Sequence, residues 1–373
     1  MSRVMNLYKQ IFRYSSLFLI IFIMFAVVYN FTLNVSAQQT VISVSDPEGD
    51  DRGPGYYGYP AADVFKPGVF DITKFEVAVN ATHVIFKVYF KNLGGNPWNG
   101  PNGFCLQYPQ IYIRTTETGL LGRMDTIGLN IVLRPDYAWY YALLLAPGWD
   151  TEAVPVGQKA ALYYSNGTII VQDTKGFKVY ADTAANAIVA VVPKSLLSDV
   201  DNINKWKIVV AVASYDGFGP MRVRPVGPTG GEWAVNGSAY ATPDQAKKIA
   251  TAIAKGVEPR VMDLLVYSPE YPNGITASQQ YTWLDSYDPV KGLPAMIPYT
   301  PAYVTVTALA TTTSYVTSIF TTTQLVTSVS TYTSVSISTT TTTVSVTEWT
   351  TAIVIGIILL IIGFAIGYFV RRK

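Results

Sequence analysis

The segment DPEGDDRGPGYYGYP, residues 46–60, carries more structural information than any other part of this chain. It concentrates four acidic side chains, four glycines, three prolines and three tyrosines. Because glycine permits positive φ and proline fixes φ near about −65°, the composition predicts a tight, pre-ordered loop. Its acidic oxygens could bind a cation, and its rings could be held out to solvent. The alternative is a solvated turn whose aspartates accept hydrogen bonds only from local backbone amides.

Calcium is the cation that suits such a loop, because Ca²⁺ takes about six to eight oxygen ligands from carboxylates and carbonyls. We expect Asp46, Asp50 and Asp51 as ligands, completed by Asp216 from a second acidic loop, SYDGFGP (214–220). The competing interpretation is a turn made rigid by bonds between side chains and backbone.

Several later motifs resemble the C-terminal module of glucodextranase, which is similar to modules appended to archaeal amylopullulanases. With DPEGDDRGPGYYGYP, they are PGVFDITKFEVAV (67–79), NPWNGPNGFCLQ (96–107), SYDGFGPMRVRPV (214–226), EPRVMDLL (258–265) and QQYTWLDSYD (279–288). The resemblance covers about residues 41–303. It implies a DOMON-like β-sandwich that holds carbohydrate or cell wall and performs no hydrolysis. Two departures are Cys105, where a small hydroxyl residue is usual, and Met221-Arg222, which replaces a glycine-aromatic pair.

The residue pattern independently favours an all-β sandwich over residues 38–303. Together with the resemblance, it predicts a DOMON-like or immunoglobulin-like β-sandwich with one or two short helices. Short β-branched or alternating runs are separated by glycine, asparagine and proline turns, as in sandwiches. Asn166-Gly167, between two such runs, predicts a hairpin. The predicted strands are 75–79, 84–90, 111–114, 127–133, 138–145, 160–164, 168–171, 187–192 and 206–213.

One helix is predicted with both of its ends. Thr242 can cap it, Pro243 fits its first turn, Asp244 suits the helix dipole and Gly256 ends the pattern. A second, short helix is expected at Ser195–Leu197.

Sugar binding is suggested by aromatic residues that fall in turns rather than in strands. Saccharides present apolar faces and hydroxyl groups, so their sites combine flat rings with a few polar side chains. Trp98 is the leading candidate, with Asn99 and Asn102 as polar partners; the alternative is a loop tryptophan that caps the sandwich core. The other turn aromatics are Tyr56, Tyr57, Trp149, Phe218 and Trp233. We expect Trp98 and the two tyrosines to be exposed and close together.

Catalysis and haem binding are weakly supported. His83 is the single histidine, and no catalytic scaffold is visible in the sequence. The 25 acidic residues could still supply the two carboxylates that a glycosidase needs. His83 could be an axial haem ligand with Met124, Met221 or Met262, but no motif for covalent attachment is present. We therefore expect no enzyme and no haem.

Both termini predict export and membrane anchoring. Basic residues, an apolar run from Leu17 to Tyr29 and the small residues Val35-Ser36-Ala37 are typical of a signal peptide, residues 1–37, with an uncleaved anchor as the alternative. Residues 351–370 are predicted to span a membrane, followed by a basic cytoplasmic tail at 371–373. Gly363 and Gly367 are spaced as in helix pairs that dimerise.

Between the β domain and this helix, residues 304–350 are rich in threonine, serine and valine. Residues 292–347 contain no charged side chain. The composition predicts an O-glycosylated stalk, with a β-prone segment that packs on a neighbour as the alternative. N-glycosylation sequons occur at Asn80, Asn166 and Asn236.

Charge and cysteine content restrict the partners. Of the 27 basic residues, six lie in the two terminal segments, so the remainder has 21 basic against 25 acidic residues, a net charge of −4. This balance argues against nucleic acid as a partner. Cys105 is the single cysteine, so no intrachain disulfide can form.

Together these features predict a cell-surface, non-catalytic module that binds polysaccharide or envelope glycan, with a surface hydrolase, transporter or envelope-layer protein as a further partner. The alternative is a structural surface-layer or filament-associated protein that uses the sandwich for protein contacts.

Overall fold

The computed structural model describes residues 38–149 and 158–300, which form a β-sandwich with two short α-helices. Two antiparallel sheets contribute side chains to one continuous hydrophobic core. The described residues form these strands: β1 (Gln39–Ser45), β2 (Ile72–Val79), β3 (His83–Phe90), β4 (Gln107–Arg114), β5 (Ile131–Leu133), β6 (Tyr141–Leu144), β7 (Ala161–Tyr164), β8 (Ile169–Val171), β9 (Lys178–Asp182), β10 (Ala187–Pro193), β11 (Lys207–Ser214), β12 (Val226–Gly227), β13 (Val235–Asn236), β14 (Asp263–Tyr267) and β15 (Ala295–Ile297).

The first sheet has five strands in the order β1-β2-β3-β10-β9. Strands β2 and β3 form a hairpin in which Val79 pairs with Val84. Its turn is fixed locally, because the Asn80 side chain accepts hydrogen bonds from the backbone amides of Thr82 and His83. The acidic loop 46–60 lies in the connection between two neighbouring strands of this sheet, since β1 ends at Ser45 and β2 starts at Ile72.

The second sheet has six strands in the order β14-β11-β4-β6-β7-β8. Its central strands β4 and β11 are buried along almost their whole length, which means that both faces of the sheet are covered there. This burial explains why β11, KIVVAVAS, is a nearly continuous apolar run rather than a strict alternation. Strand β4, QYPQIYIR, instead includes two buried glutamines, Gln107 and Gln110. Two small parallel pairs, β12 with β13 and β15 with β5, complete the strands of the described residues.

Helix α1 (Pro243–Lys255) confirms the predicted helix and both of its ends. Thr242 and Gln245 form a reciprocal capping box, and Gly256 ends the helix in the left-handed region. The short helix expected at 195–197 is a 3-10 turn, Lys194–Leu196. Helix α2 (Ala277–Leu284) was not predicted, although Thr276 and Gln279 form the same capping box.

Most predicted strands are present, and the hairpin at Asn166-Gly167 is confirmed as the connection of β7 to β8. The run at 127–133 is a strand only over its last three residues, because Gly128 and Asn130 both have positive φ. Strands β1, β9 and β14 were missed, as were the strands of two or three residues, β12, β13 and β15. In β1 and β9 the exposed polar positions interrupt the apolar pattern, as is usual for edge strands.

The predicted signal peptide (1–37), stalk (304–350), membrane helix (351–370) and tail (371–373) lie outside the described residues. Within 38–149 and 158–300, no helix has the length and apolar character needed to cross a membrane.

Candidate functional site

An aromatic pocket lies at one end of the six-stranded sheet. The loop before β4 and the segment after β11 meet there because these strands are antiparallel neighbours, with Gln107 opposite Ser214. The segments after β6 and before β7 reach the same end, since Leu144 pairs with both Gln110 and Ala161. Strand order therefore brings together three connections that are far apart in sequence: those before β4, between β6 and β7, and after β11.

The pocket has a volume of about 890 Å³. Its lining combines indole, phenol and phenyl rings with one carboxylate, one guanidinium and one amide. The lining residues are Trp98, Trp149, Gln158, Tyr215, Asp216, Gly217, Phe218, Arg224 and Trp233. This composition is that of a small-molecule site, in which apolar rings dominate and a few polar groups fix orientation.

Two half-exposed tryptophans, Trp98 and Trp233, form one side of the pocket. Their ring centroids are 6.0 Å apart, and the planes are inclined at 53°. Trp98 is 39% exposed and Trp233 is 47% exposed. Both rings are supported from behind by Phe65, whose centroid lies 6.4 Å from Trp98 and 6.2 Å from Trp233. The two indoles are thus held by packing while keeping about half of their surface open.

The loop that carries Trp98 is fixed by its own side chains. Asn96 accepts a hydrogen bond from the Gly100 amide (2.7 Å) and donates one to the Gly100 carbonyl (3.1 Å). Gly100 cannot be replaced without rearrangement, because a Cβ there would lie 2.0 Å from the Phe104 carbonyl oxygen. Cys105 is buried beside this loop, and burial raises the pKa of its thiol to about 11. The segment NPWNGPNGFC (96–105) therefore forms a rigid loop that holds the Trp98 indole in place.

Arg224 is the buried cation of the pocket. Its guanidinium donates to the Ser214 hydroxyl (2.9 Å) and to the carbonyls of Tyr215 (2.6 Å) and Trp233 (2.9 Å). It also lies 4.9 Å from the centroid of the Phe65 ring. Burial lowers the pKa of Arg224, and Asp216 opposes this effect. Arg224 therefore joins the end of β11 to the segment that carries Trp233.

The pocket has unmet hydrogen-bonding capacity. The Tyr215 hydroxyl and the Gln158 Oε1 atom are buried without a hydrogen-bond partner among the described residues. The Tyr215 ring packs against Trp149, with centroids 5.5 Å apart. Phe218 stands at the rim and is fully exposed, and the Asp216 carboxylate accepts from the Phe218 amide at 2.9 Å. Buried polar atoms without partners are uncommon in proteins, so their presence here suits a site completed by a polar ligand.

The structure groups the predicted aromatic residues differently from the sequence-based expectation. Trp98, Trp149 and Phe218 line one pocket, and Trp233 joins them. Tyr56 and Tyr57 do not, because both are buried in the core: the Tyr56 hydroxyl contacts Tyr287 (2.6 Å), and the Tyr57 hydroxyl donates to the Pro259 carbonyl (2.9 Å). The expectation that these two rings are exposed is wrong, since the turns of the loop direct them inward.

The two predicted asparagines also separate. Asn102 is buried, and its amide exchanges two hydrogen bonds with Gln172 and donates to the Ala146 carbonyl. Asn99 is exposed and has a positive φ of 51°, and it is not among the lining residues. Asn102 therefore supports the loop from inside rather than facing a ligand.

A cluster of buried carboxylates forms a second candidate site. Asp46 follows β1, Asp50 lies in the loop, and Asp263 is the first residue of β14; one carboxylate oxygen of each lies within 4.8 Å of the others. Asp263 accepts hydrogen bonds from the amides of Ile72 (2.6 Å) and Leu264 (2.8 Å). The sequence-based set of ligands did not include Asp263, which is flanked by apolar residues in the motif EPRVMDLL.

Mutual repulsion and burial dominate the electrostatics of this cluster. Burial, and then the Asp263 and Asp50 carboxylates, raise the pKa of Asp46 well above its usual range. Burial and the neighbouring Asp71 raise the pKa of Asp50 to about 7. Burial and Asp50 likewise raise the pKa of Asp263. Charging all three groups at once is therefore unfavourable unless a cation lies close by.

The other predicted ligands are engaged elsewhere. Asp51 accepts a hydrogen bond from the Tyr59 hydroxyl. Asp71, which was not predicted, accepts from the Gly49 amide at 3.0 Å and lies 3.9 Å from the Lys91 ammonium. Asp216 lies in the aromatic pocket and is not part of the carboxylate cluster.

A further groove runs between α1 and α2, with a volume of about 760 Å³. Two of its charged lining residues, Lys248 and Asp285, form an ion pair at 3.0 Å, and a third, Asp288, pairs with Lys291 at 3.4 Å. The groove has no tryptophan among its described lining residues, so it offers a ligand less stacking surface than the aromatic pocket does.

A sandwich with an aromatic pocket built from loops at one end of a sheet defines a binding module. The chain belongs to the family of the C-terminal binding module, SLH-like, of glucodextranase, whose family model matches residues 41–299. The resemblance found in the sequence motifs is thereby confirmed, and membership indicates a role in carbohydrate binding. A comparison with curated proteins gave no match.

Proposed function

We propose that this chain is a non-catalytic module that binds a polysaccharide or an envelope glycan at the cell surface. The proposal rests on the aromatic pocket, and above all on the pair of half-exposed indoles, Trp98 and Trp233. A pyranose ring has apolar C–H faces that stack on indoles and a rim of hydroxyls that need hydrogen bonds. The pocket provides both kinds of contact.

The polar groups of the pocket suit neutral sugar hydroxyls. Asp216 is an acceptor at the rim, and Gln158 and Tyr215 carry oxygens without partners among the described residues. Arg224 is less available, because three protein acceptors already engage its guanidinium. We therefore favour a neutral glycan over an anionic one.

Placement at the surface is supported by the sequence alone. A signal peptide would export the domain, the segment 304–350 would act as a stalk, and a helix at 351–370 would anchor it. In this arrangement the domain stands outside the membrane, where it would present glycan to a surface hydrolase or transporter, or dock onto an envelope layer.

A glycan array probed with the full-length chain tests the proposal. We expect binding to a set of related neutral glycans, and loss of binding to the same set in Trp233→Ala. Tyr180→Ala is the matched control, because Tyr180 is 47% exposed but lies on the edge strand β9. Retained binding in Trp233→Ala would place the glycan elsewhere. Absence of any binding by a folded chain would instead favour a structural role through protein contacts.

The same glycans, incubated with the chain, test the absence of catalysis. We expect no release of reducing ends, because the described residues of the proposed site present stacking rings and one carboxylate, Asp216, whereas a glycosidase needs a pair of carboxylates about 5–10 Å apart. Release that disappears in Asp216→Asn would contradict the proposal.

A further inference from the structure

Asp46 and Asp50, both in the acidic loop 46–60, meet Asp263 from a distant segment of the chain at one point between the two sheets. Asp46 follows an edge strand of the five-stranded sheet, and Asp263 begins an edge strand of the six-stranded sheet. A separation of at most 4.8 Å between their oxygens is about twice a Ca²⁺–oxygen bond of about 2.4 Å. A single ion could therefore contact all three carboxylates.

Asp46 supplies a second, independent observation. Its side chain is 7% exposed, and neither carboxylate oxygen has a hydrogen-bond partner among the described residues. The Oδ1 atom of Asp50 is also buried and has no hydrogen-bond partner among the described residues. Desolvated carboxylate oxygens without donors are costly, and a bound cation removes that cost.

No described basic side chain takes the place of this cation. The basic residues nearest in sequence are engaged elsewhere: the Arg52 guanidinium lies 4.6 Å from the centroid of the Tyr240 ring, and Arg260 pairs with Glu258 (2.8 Å). Lys91 is 51% exposed and forms ion pairs with Glu48 (3.1 Å) and Asp71 (3.9 Å). Asp263 has two backbone donors, which satisfy hydrogen bonds but supply no full charge. The negative charge of the cluster thus lacks a positive partner within the described residues.

We propose that Asp46, Asp50 and Asp263 bind one calcium ion, which joins the end of β1 and the acidic loop to the start of β14. The ligands are exclusively oxygen atoms, as Ca²⁺ prefers, and the cluster contains no histidine or cysteine that would favour a transition metal. The ion acts as a cross-link between the two sheets of a domain whose single cysteine is buried and free.

Direct metal binding is the first test. The full-length chain is stripped with a chelator, dialysed, and titrated with CaCl₂ while the bound metal is measured by equilibrium dialysis. We expect saturable uptake of about one ion per chain at this site and a melting temperature that rises with calcium concentration, because an ion that binds only the folded state stabilises it. If the stripped chain takes up no calcium and its melting temperature does not change when calcium is added, the carboxylates are neutralised by protonation and the proposal is wrong.

The variant Asp46→Asn tests whether Asp46 is a ligand of the ion. Since the Asp46 oxygens have no hydrogen-bond partner among the described residues, the substitution removes charge without removing a known bond, and the variant should fold. We expect it to lose the calcium-dependent rise in melting temperature and at least tenfold in calcium affinity. Asp216→Asn is the matched control and should keep both. A calcium response that is unchanged in Asp46→Asn would place the ion elsewhere and overturn the proposal.

Discussion

Trp98 and Trp233 lie with their ring centroids 6.0 Å apart, one carried by the loop between β3 and β4 and the other by the segment between β12 and β13. Neither loop forms the platform alone. The contact depends on Phe65, which packs against both rings, and on Arg224, which donates to the Trp233 carbonyl. The platform is therefore a product of the whole end of the sandwich.

Trp98→Ala should separate ligand binding from stability. Because the ring is partly exposed and packs mainly against Phe65 and Trp233, we expect a loss of about 1 kcal/mol in the free energy of unfolding. Glycan affinity should fall by roughly tenfold, equivalent to about 1.4 kcal/mol. Urea unfolding and titration calorimetry measure the two quantities. A loss of about 3–5 kcal/mol in stability would identify Trp98 as a core residue instead.

Tyr56→Phe should destabilise the fold although it removes one oxygen atom. The Tyr56 hydroxyl contacts the Asp285 carboxylate (2.8 Å) and the Tyr287 hydroxyl (2.6 Å), so its loss leaves two polar groups short of a partner. We expect a decrease of about 1–3 kcal/mol in the free energy of unfolding, measured in urea. Tyr240→Phe, at a tyrosine that is 61% exposed, should change it by less than about 0.5 kcal/mol. Equal effects in the two variants would contradict the structural role assigned to Tyr56.

Acid stability should depend on Asp136. Burial by itself would raise its pKa, but hydrogen bonds from Arg134 and Lys207 outweigh this and lower the pKa of Asp136 to about 2. A carboxylate whose pKa is depressed in the folded state stabilises that state above its unfolded pKa of about 4, and the contribution is lost as pH falls toward 2.

We therefore expect Asp136→Asn to reduce the slope of stability against pH between about pH 4 and 2, as measured by urea unfolding at a series of pH values. Asp63→Asn, at an exposed aspartate outside this network, is the control and should leave the slope unchanged. An unchanged slope in Asp136→Asn would mean that solvent screens the ion pairs completely.

Topology can be tested on intact cells that express the full chain. If the signal peptide and the helix at 351–370 act as proposed, added protease should release a fragment from residue 38 to about residue 345. The tail at 371–373 should stay protected, because basic residues favour the cytoplasmic side. In a host that makes N-glycans, Asn80, Asn166 and Asn236 should be modified; none of them is buried. Labelling of the tail from outside would contradict this arrangement.

The features predicted correctly from sequence are those that depend on a few neighbouring residues. The hairpin at Asn166-Gly167 and the helix from Thr242 to Gly256 each follow from local conformational preferences and capping bonds. Helix α2 carried the same signal, Thr276 followed by Gln279, and could have been found by the same rule. The family was recognised because its motifs are themselves short and contiguous.

Burial was the property that local sequence did not reveal. Tyr56 and Tyr57 follow a turn rich in glycine and proline, which usually indicates a surface loop, yet both rings pack inside and both hydroxyls have hydrogen bonds. Asn102 belongs to a similar turn and is buried against Gln172. A turn sets the direction of the backbone, whereas the packing of distant segments decides which side of the loop faces solvent.

By itself, the sequence determined the β class, the family and the residue types available for each site. The tertiary structure alone decided which of them meet. Asp263 joins Asp46 and Asp50, and Asp216 joins the tryptophans, because strand order and register place β14 beside the acidic loop and the end of β11 beside the start of β4. These residues meet because both sheets bury their apolar faces in one core. That burial depends on residues throughout the domain, so no single motif predicts it.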